Sequence, residues 1–229
     1  MIKYKNIQEG TFLSRPNRFL ADVEIDGQVE RVHVKNTGRM KELFLPGVKV
    51  YCRYVASPTR KTKYDLITVD KKGILFNVDS QVPNAVVTQA ILEGRVSEIP
   101  SFDYFKREYT YGDSRLDLYG EYGDQKCFIE VKGVTYEKDR VAKFPDAPTL
   151  RGVKHLYSLM NAVKEGHRAC VFLLLQYRGA DYFTPQDERD PLFGETIRLA
   201  EKEGVEILLY DSIVTKDSIT IGKKLDYRF

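Results

Sequence analysis

Between Phe105 and Lys132 the chain carries two Gly-Asp dipeptides, Gly112-Asp113 and Gly123-Asp124, each flanked by residues that alternate polar and apolar. A two-residue loop with glycine in the first central place suits a type II′ turn between antiparallel strands. Two such turns predict a three-stranded meander and set its register. Tyr122 pairs with Gln125, and counting outward brings Asp117 opposite Glu130 on one sheet face. Tyr111 pairs with Ser114, and counting outward brings Glu108 opposite Asp117. Lys132 shares the Glu130 face, two residues along. The spacing thus predicts a row of carboxylates, Glu108, Asp117 and Glu130, across three strands. Like charges directly opposite destabilise a sheet, so the row makes sense with a bound cation.

The charge distribution points the same way. Residues 1–80 hold fifteen Lys/Arg against nine Asp/Glu, whereas residues 81–229 hold twenty-one against twenty-four. A basic front half suits phosphates and an acidic back half suits cations. Three widely spaced cysteines (Cys52, Cys127, Cys170) form no CxxC or Cys/His cluster, which argues against zinc and disulfide frameworks. The N-terminus lacks the apolar core of a signal peptide, and no apolar run is long enough to span a membrane. A cytoplasmic protein is the expectation. No GxxxxGK[ST] loop and no GxSxG elbow occurs, which disfavours ATP-driven chemistry and the simplest serine hydrolase.

Two domains are expected, residues 1–81 and 82–229. In the first, Phe19–Ile25 meets an Asp26-Gly27 turn and returns as Val29–Val34, a hairpin signal. Strands at Val48–Val55, Tyr64–Val69 and Gly73–Val78 complete five, which suits a small OB-like barrel with basic loops; an SH3-like barrel is the alternative. In the second, a helix opens at Pro83-Asn84 and stops near Gly94. The meander follows, then helices over Val153–Lys164 and 191–203 and strands at Ala169–Leu175 and Val205–Tyr210. The continuous apolar run Ala169–Leu175 indicates a strand buried on both faces. That order describes a mixed sheet flanked by helices, an α/β core.

An acid on the second meander strand and Glu-x-Lys on the third resemble the PD-(D/E)xK nuclease superfamily, with Leu116-Asp117 in place of Pro-Asp. A longer set is similar to the sugar fermentation stimulation protein (SfsA) family: Arg18–Val23, Asn36-Thr37-Gly38-Arg39-Met40, Ser114–Asp117, Glu130–Lys132, and Phe144–Ala147 with Arg151-Gly152 and Lys154-His155-Leu156. The resemblance runs through roughly residues 10–215. It implies an OB-like front domain, a nuclease-like rear domain and DNA binding.

Chemistry follows from the residue types. Asp117 and Glu130 offer hard oxygen ligands for Mg²⁺ or Mn²⁺, with the Val131 carbonyl as a third. Lys132 is placed to orient water or neutralise charge on a phosphate. Glu108 is either a third acid or a solvated strand residue, and Glu93 on the preceding helix is another candidate. Arg15, Arg18, Arg39, Lys41, Arg60, Lys61 and Lys63 cluster in or beside front-domain loops, where OB barrels hold nucleic-acid strands. Arg151 and Lys154 begin a helix, where exposed N–H groups also attract anions. The leading expectation is a DNA-binding protein with a Mg²⁺-dependent phosphodiesterase site, acting on single- or double-stranded DNA, with RNA as the alternative polymer. The rival is a non-catalytic DNA-binding regulator linked to sugar metabolism.

Overall fold

The structure is a computed structural model that describes residues 1–55 and 57–229. The first strand, β1 (Ile2–Lys3), belongs to the rear sheet, and the chain then enters the barrel. Strands β2 (Ile7–Asn17), β3 (Leu20–Ile25), β4 (Gln28–Val34), β5 (Lys49–Tyr54) and β6 (Tyr64–Lys71) form a five-stranded OB barrel. β2 pairs with both β3 and β5, and the barrel closes through a parallel contact of β4 with β6, His33 beside Asp65 and Val34 beside Leu66. β7 (Ile74–Asn77) adds to β6 and leads out of the barrel.

This corrects one strand of the sequence reading. The fifth barrel strand is β2, not the Gly73–Val78 segment. β2 hides its alternation because its register against β3 shifts twice, between Phe12 and Ser14 and between Ser14 and Asn17. Irregular pairing of this kind lets a strand bend around a small barrel.

After α1 (Val82–Leu92) comes the meander of β8 (Tyr104–Tyr111), β9 (Ser114–Tyr122) and β10 (Gln125–Val134). Gly112 (φ 56°) and Gly123 (φ 53°) take the left-handed place that both tight turns require. β11 (Tyr136–Lys138) and β12 (Val141–Phe144) precede α2 (Leu150–Lys164), β13 (Arg168–Leu175) and β14 (Tyr182–Pro185). The chain ends with α3 (Pro191–Lys202), β15 (Glu206–Val214), β16 (Ser218–Lys224) and β17 (Asp226–Tyr227).

Seven strands form the rear sheet in the order β1-β16-β15-β13-β10-β9-β8, with β10, β13 and β15 parallel at its centre. The two faces of β13 bury different residues: Cys170, Phe172 and Leu174 pack with α1, whereas Ala169, Val171, Leu173 and Leu175 pack with α2 and α3. Double burial is what the unbroken apolar run required. A smaller sheet, β11-β12-β14-β17, lies outside the sequence reading. Its strands are two to four residues long, too short to show a period.

Barrel and rear domain share one core. Phe76 stacks on Tyr177 at 4.3 Å between ring centres, and Lys71 pairs with Glu137 at 2.9 Å. Buried Gln176 donates to the carbonyls of Asn77 and Asp79, both at 3.0 Å. These contacts pin the connection between the domains against the end of β13.

Candidate metal centre and nucleic-acid interface

The predicted register holds from Tyr122–Gln125 through Leu118–Ile129 and stops one pair short of Asp117–Glu130. On the other side, Tyr111–Ser114 through Tyr104–Glu121 keep one register, with the Glu108–Asp117 pair missing. Both gaps fall at Asp117. The core explains them: Leu116 and Tyr119 lie in one hydrophobic cluster and Leu118 in the other. A regular strand would put Leu116 and Leu118 on the same face. β9 therefore switches faces at Asp117, and Glu108 absorbs the change opposite with φ at 56°. A carboxylate at such a switch leaves the ladder and becomes free to take other partners.

Partners for Asp117 and for Glu130 come from three elements, α1, β10 and α2. Asn84, near the start of α1, donates to Asp117 Oδ1 at 2.7 Å, and the Val131 backbone N–H donates to Oδ2 at 2.9 Å. Glu130, 2% exposed, receives Lys132 Nζ and His155 Nδ1 on its Oε1. Arg151 Nε lies 3.5 Å from His155 Nε2, which leaves Nδ1 as the nitrogen that donates to Glu130. Glu130 Oε2 is buried and has no hydrogen-bond partner.

The two acids titrate in opposite directions. Burial, and then the charge of Glu130, push Asp117 above its ordinary range despite the Val131 and Asn84 hydrogen bonds. Burial also pushes on Glu130, but His155 and Lys132 outweigh it and hold Glu130 below its ordinary range.

The row of three acids is not brought together. The Glu108 side chain is 59% exposed and pairs with Arg115. Among the described residues no group of three His, Cys, Asp or Glu side chains stands close enough to hold a metal. Glu93 is exposed and paired with Arg95 and Gln89. Asn84 was not singled out from the sequence, and His155 entered only through the motif set. Neither carries a local signal, since each reaches the site from a helix on a different side of the sheet.

The front-domain cations divide into three groups. Arg15 lies over the Phe44 ring at 4.6 Å and donates to the carbonyls of Arg39, Asn36 and Arg18, so it clips the 36–39 loop in place. Arg60 and Lys63 are tied to Asp65 and Glu30, with Lys61 between them in sequence. Arg18, Arg39 and Lys41 have no carboxylate within ion-pair distance among the described residues, and all three line one cleft. On α2, Lys154 pairs with Asp113 at 3.0 Å. Arg151 faces His155.

Comparison with known proteins accounts for both halves. Residues 13–78 match a family model described as the SfsA N-terminal OB domain, and residues 81–218 match one described as the sugar fermentation stimulation protein RE domain. The chain belongs to the SfsA family. It is 50% identical to a sugar fermentation stimulation protein homolog of Alkaliphilus oremlandii, over 98% of each chain. A homolog of Desulfitobacterium hafniense is 52% identical, over 96% of each chain. The SfsA of Pyrococcus furiosus, solved in complex with Ca²⁺, is 27% identical and superposes with a TM-score of 0.88, covering 100% of this chain and 98% of that one. The OB barrel and the endonuclease-like sheet expected from sequence are thus those of the SfsA family. Among the described residues, no helix is long and apolar enough to cross a membrane.

Proposed function

We propose that this protein is a divalent-metal-dependent DNA phosphodiesterase whose centre is Asp117, Glu130 and Lys132. The observation that carries the reading is the buried, unpartnered Oε2 of Glu130 next to an acid that repels it. Leaving such an atom without a partner costs about 1–3 kcal/mol, and more when it is charged. A hard cation removes that cost, so the residues present fit one. Two carboxylates and the Val131 carbonyl match Mg²⁺, which rarely takes more than one or two acids and completes its shell with water and phosphate. The Ca²⁺ in the Pyrococcus furiosus relative supports an oxygen-ligated divalent ion here. Mg²⁺ or Mn²⁺ would supply Lewis-acid polarisation of the phosphodiester and a more acidic water.

The chain's own residues do the rest. His155 and Lys132 both hold Glu130 Oε1, which keeps Glu130 ionised and leaves the buried Oε2 free as a ligand. Asn84 and the Val131 N–H fix both oxygens of Asp117. Lys132, 17% exposed at its side chain, is the cation that would offset charge developing on the phosphate oxygens. The endonuclease-like domain and the OB barrel together favour nucleic acid as the polymer, and the unpaired Arg18, Arg39 and Lys41 favour contact with its phosphates.

The test is cleavage of DNA in Mg²⁺ or Mn²⁺ by wild type, Asp117→Asn, Glu130→Gln and Lys132→Ala. The acid variants should fall to background with DNA binding retained, and Lys132→Ala should lose about 10²–10³-fold in rate. Binding without any cleavage by wild type would leave the DNA-binding regulator as the reading.

A further inference from the structure

Three recesses in the surface join end to end. The first, about 270 Å³, lies on the barrel between Asn17, Arg18, Arg39, Lys41 and Phe44. Arg18, Arg39 and Lys41 also wall the second, about 460 Å³, which runs on to Asp146 and Arg189. Thr37, Gly38 and Asp146 are shared with the third, about 180 Å³, whose far wall includes Gly133, Thr135, Tyr136 and Gln176. Gly133 directly follows Lys132 on β10. At about 3.3 Å per strand residue, the backbone of this inner wall is one residue from that of Lys132.

The path changes character along its length. Its outer part presents cations that have no carboxylate partner among the described residues, which suits a phosphate backbone. Its inner chamber mixes donors and acceptors (Asn36, Ser80, Thr135, Gln176) with the rings of Tyr136 and Phe144. Gln176 is only 2% exposed. Its amide hydrogens are taken by the carbonyls of Asn77 and Asp79, which fixes Oε1 towards Gly133. A Cβ at position 133 would collide with that oxygen, so glycine keeps the chamber floor open. A pre-oriented acceptor at this depth is met only by a group that enters the chamber. The edge of a paired base is already engaged, and its stacked neighbours hold it in the helix. An unpaired base has both its edge and its faces free for hydrogen bonding and aromatic contact.

We propose that this path seats an unpaired strand and that the inner chamber takes the base beside the scissile phosphate, making single-stranded DNA, or the unpaired end of a duplex, the substrate. The position of the scissile phosphate rests on the phosphodiesterase reading; the path itself does not.

The full-length protein is titrated, in Ca²⁺, into a fluorescein-labelled oligothymidine and into a hairpin duplex with the same number of phosphates. Wild type should bind the strand more tightly than the duplex. Arg39→Glu/Lys41→Glu should weaken strand binding by about tenfold or more. Lys216→Glu, in the exposed turn between β15 and β16, should change it by less than about twofold. Lys143 also lines the inner chamber, and Lys143→Ala, a milder change, guards against misfolding of the double variant and should also weaken strand binding. Photocrosslinking from 4-thiothymidine should trap Tyr136 or Phe144. Duplex bound as tightly as strand, or crosslinks confined to the 60–63 loop, overturns the proposal. A strand that binds and crosslinks in the chamber but is never cut in Mg²⁺ sinks the phosphodiesterase reading and leaves the path standing. Duplex cut in preference to strand does the reverse.

Discussion

Asp65 in the barrel and Glu130 in the rear sheet are both nearly inaccessible carboxylates met by cationic or imidazole side chains, yet their donors are arranged differently. At Asp65 the partners spread over both oxygens: Arg60 at 2.5 Å and His33 at 3.3 Å reach Oδ1, and Lys35 at 3.1 Å reaches Oδ2. Burial pushes Asp65 up, but Arg60 and Lys35 outweigh it and hold the group below its ordinary range. At Glu130 both partners crowd one oxygen and the other is left bare, while the neighbouring Asp117 is pushed up. Burial alone therefore does not mark a functional acid. What differs is the distribution of donors: both oxygens of Asp65 are met, whereas Glu130 Oε2, like Oδ2 of buried Asp211, has no hydrogen-bond donor.

The largest effect separating the two sites is on stability. Removing one member of a buried ion pair strands its partners, at a cost of about 3–5 kcal/mol when all are buried. Lys35 and Arg60 keep some solvent contact, so Asp65→Ala should cost about 3 kcal/mol in urea unfolding. Asp117→Asn keeps the shape and an acceptor for the Val131 N–H, and the Asn84 amide can turn to accept from the new amide. It also removes a like-charge contact, so its stability should stay within about 1 kcal/mol of wild type. Equal losses at the two positions would erase the distinction.

Metal binding sharpens it further. A ligand that binds only the folded state stabilises by about 2.7 kcal/mol at a hundred times its Kd. Ca²⁺ or Mg²⁺ should raise the melting temperature of wild type and of Asp65→Ala, and leave that of Glu130→Gln unmoved. A metal response that survives in Glu130→Gln places the ion elsewhere.

How much of this was legible in the sequence depends on range. The turns at Gly112 and Gly123 are local, and they gave the register through Leu118–Ile129 correctly. The face switch at Asp117 is not local. It arises because Leu116 and Leu118 are claimed by cores on opposite sides of the sheet, and no alternation pattern shows which core a leucine joins. That switch is why Asp117 and Glu130 do not pair in the ladder, and why Glu108 does not complete the row its spacing predicts. The same limit hid Asn84 and the Glu130–His155 contact, each spanning more than twenty residues. Arg15 carried a charge that invited a phosphate, but its guanidinium is spent on main-chain carbonyls. The motif Asn36–Met40 stays together because it forms one continuous loop.

The smallest effect is the pH dependence, where the two sites should run in opposite senses. Asp117 has a folded pKa raised above its unfolded value of about 3.9. Between those two values the folded chain keeps a proton that the unfolded chain has lost, so stability falls as pH rises through the window. Asp65 has a folded pKa lowered below the same reference. Its contribution is complete above the unfolded pKa and is lost as pH falls through the folded one. Glu130 stays ionised over the Asp117 window because Lys132 and His155 hold it there. Without metal, the stability of Asp117→Asn relative to wild type should therefore be greatest near neutral pH and shrink towards about pH 4. With Ca²⁺ the order should invert near neutrality, because the ion stabilises the folded state through the charged Asp117 carboxylate, which asparagine lacks. A gap that stays constant from neutral to acid pH, with and without Ca²⁺, would mean that Asp117 titrates as an ordinary surface acid.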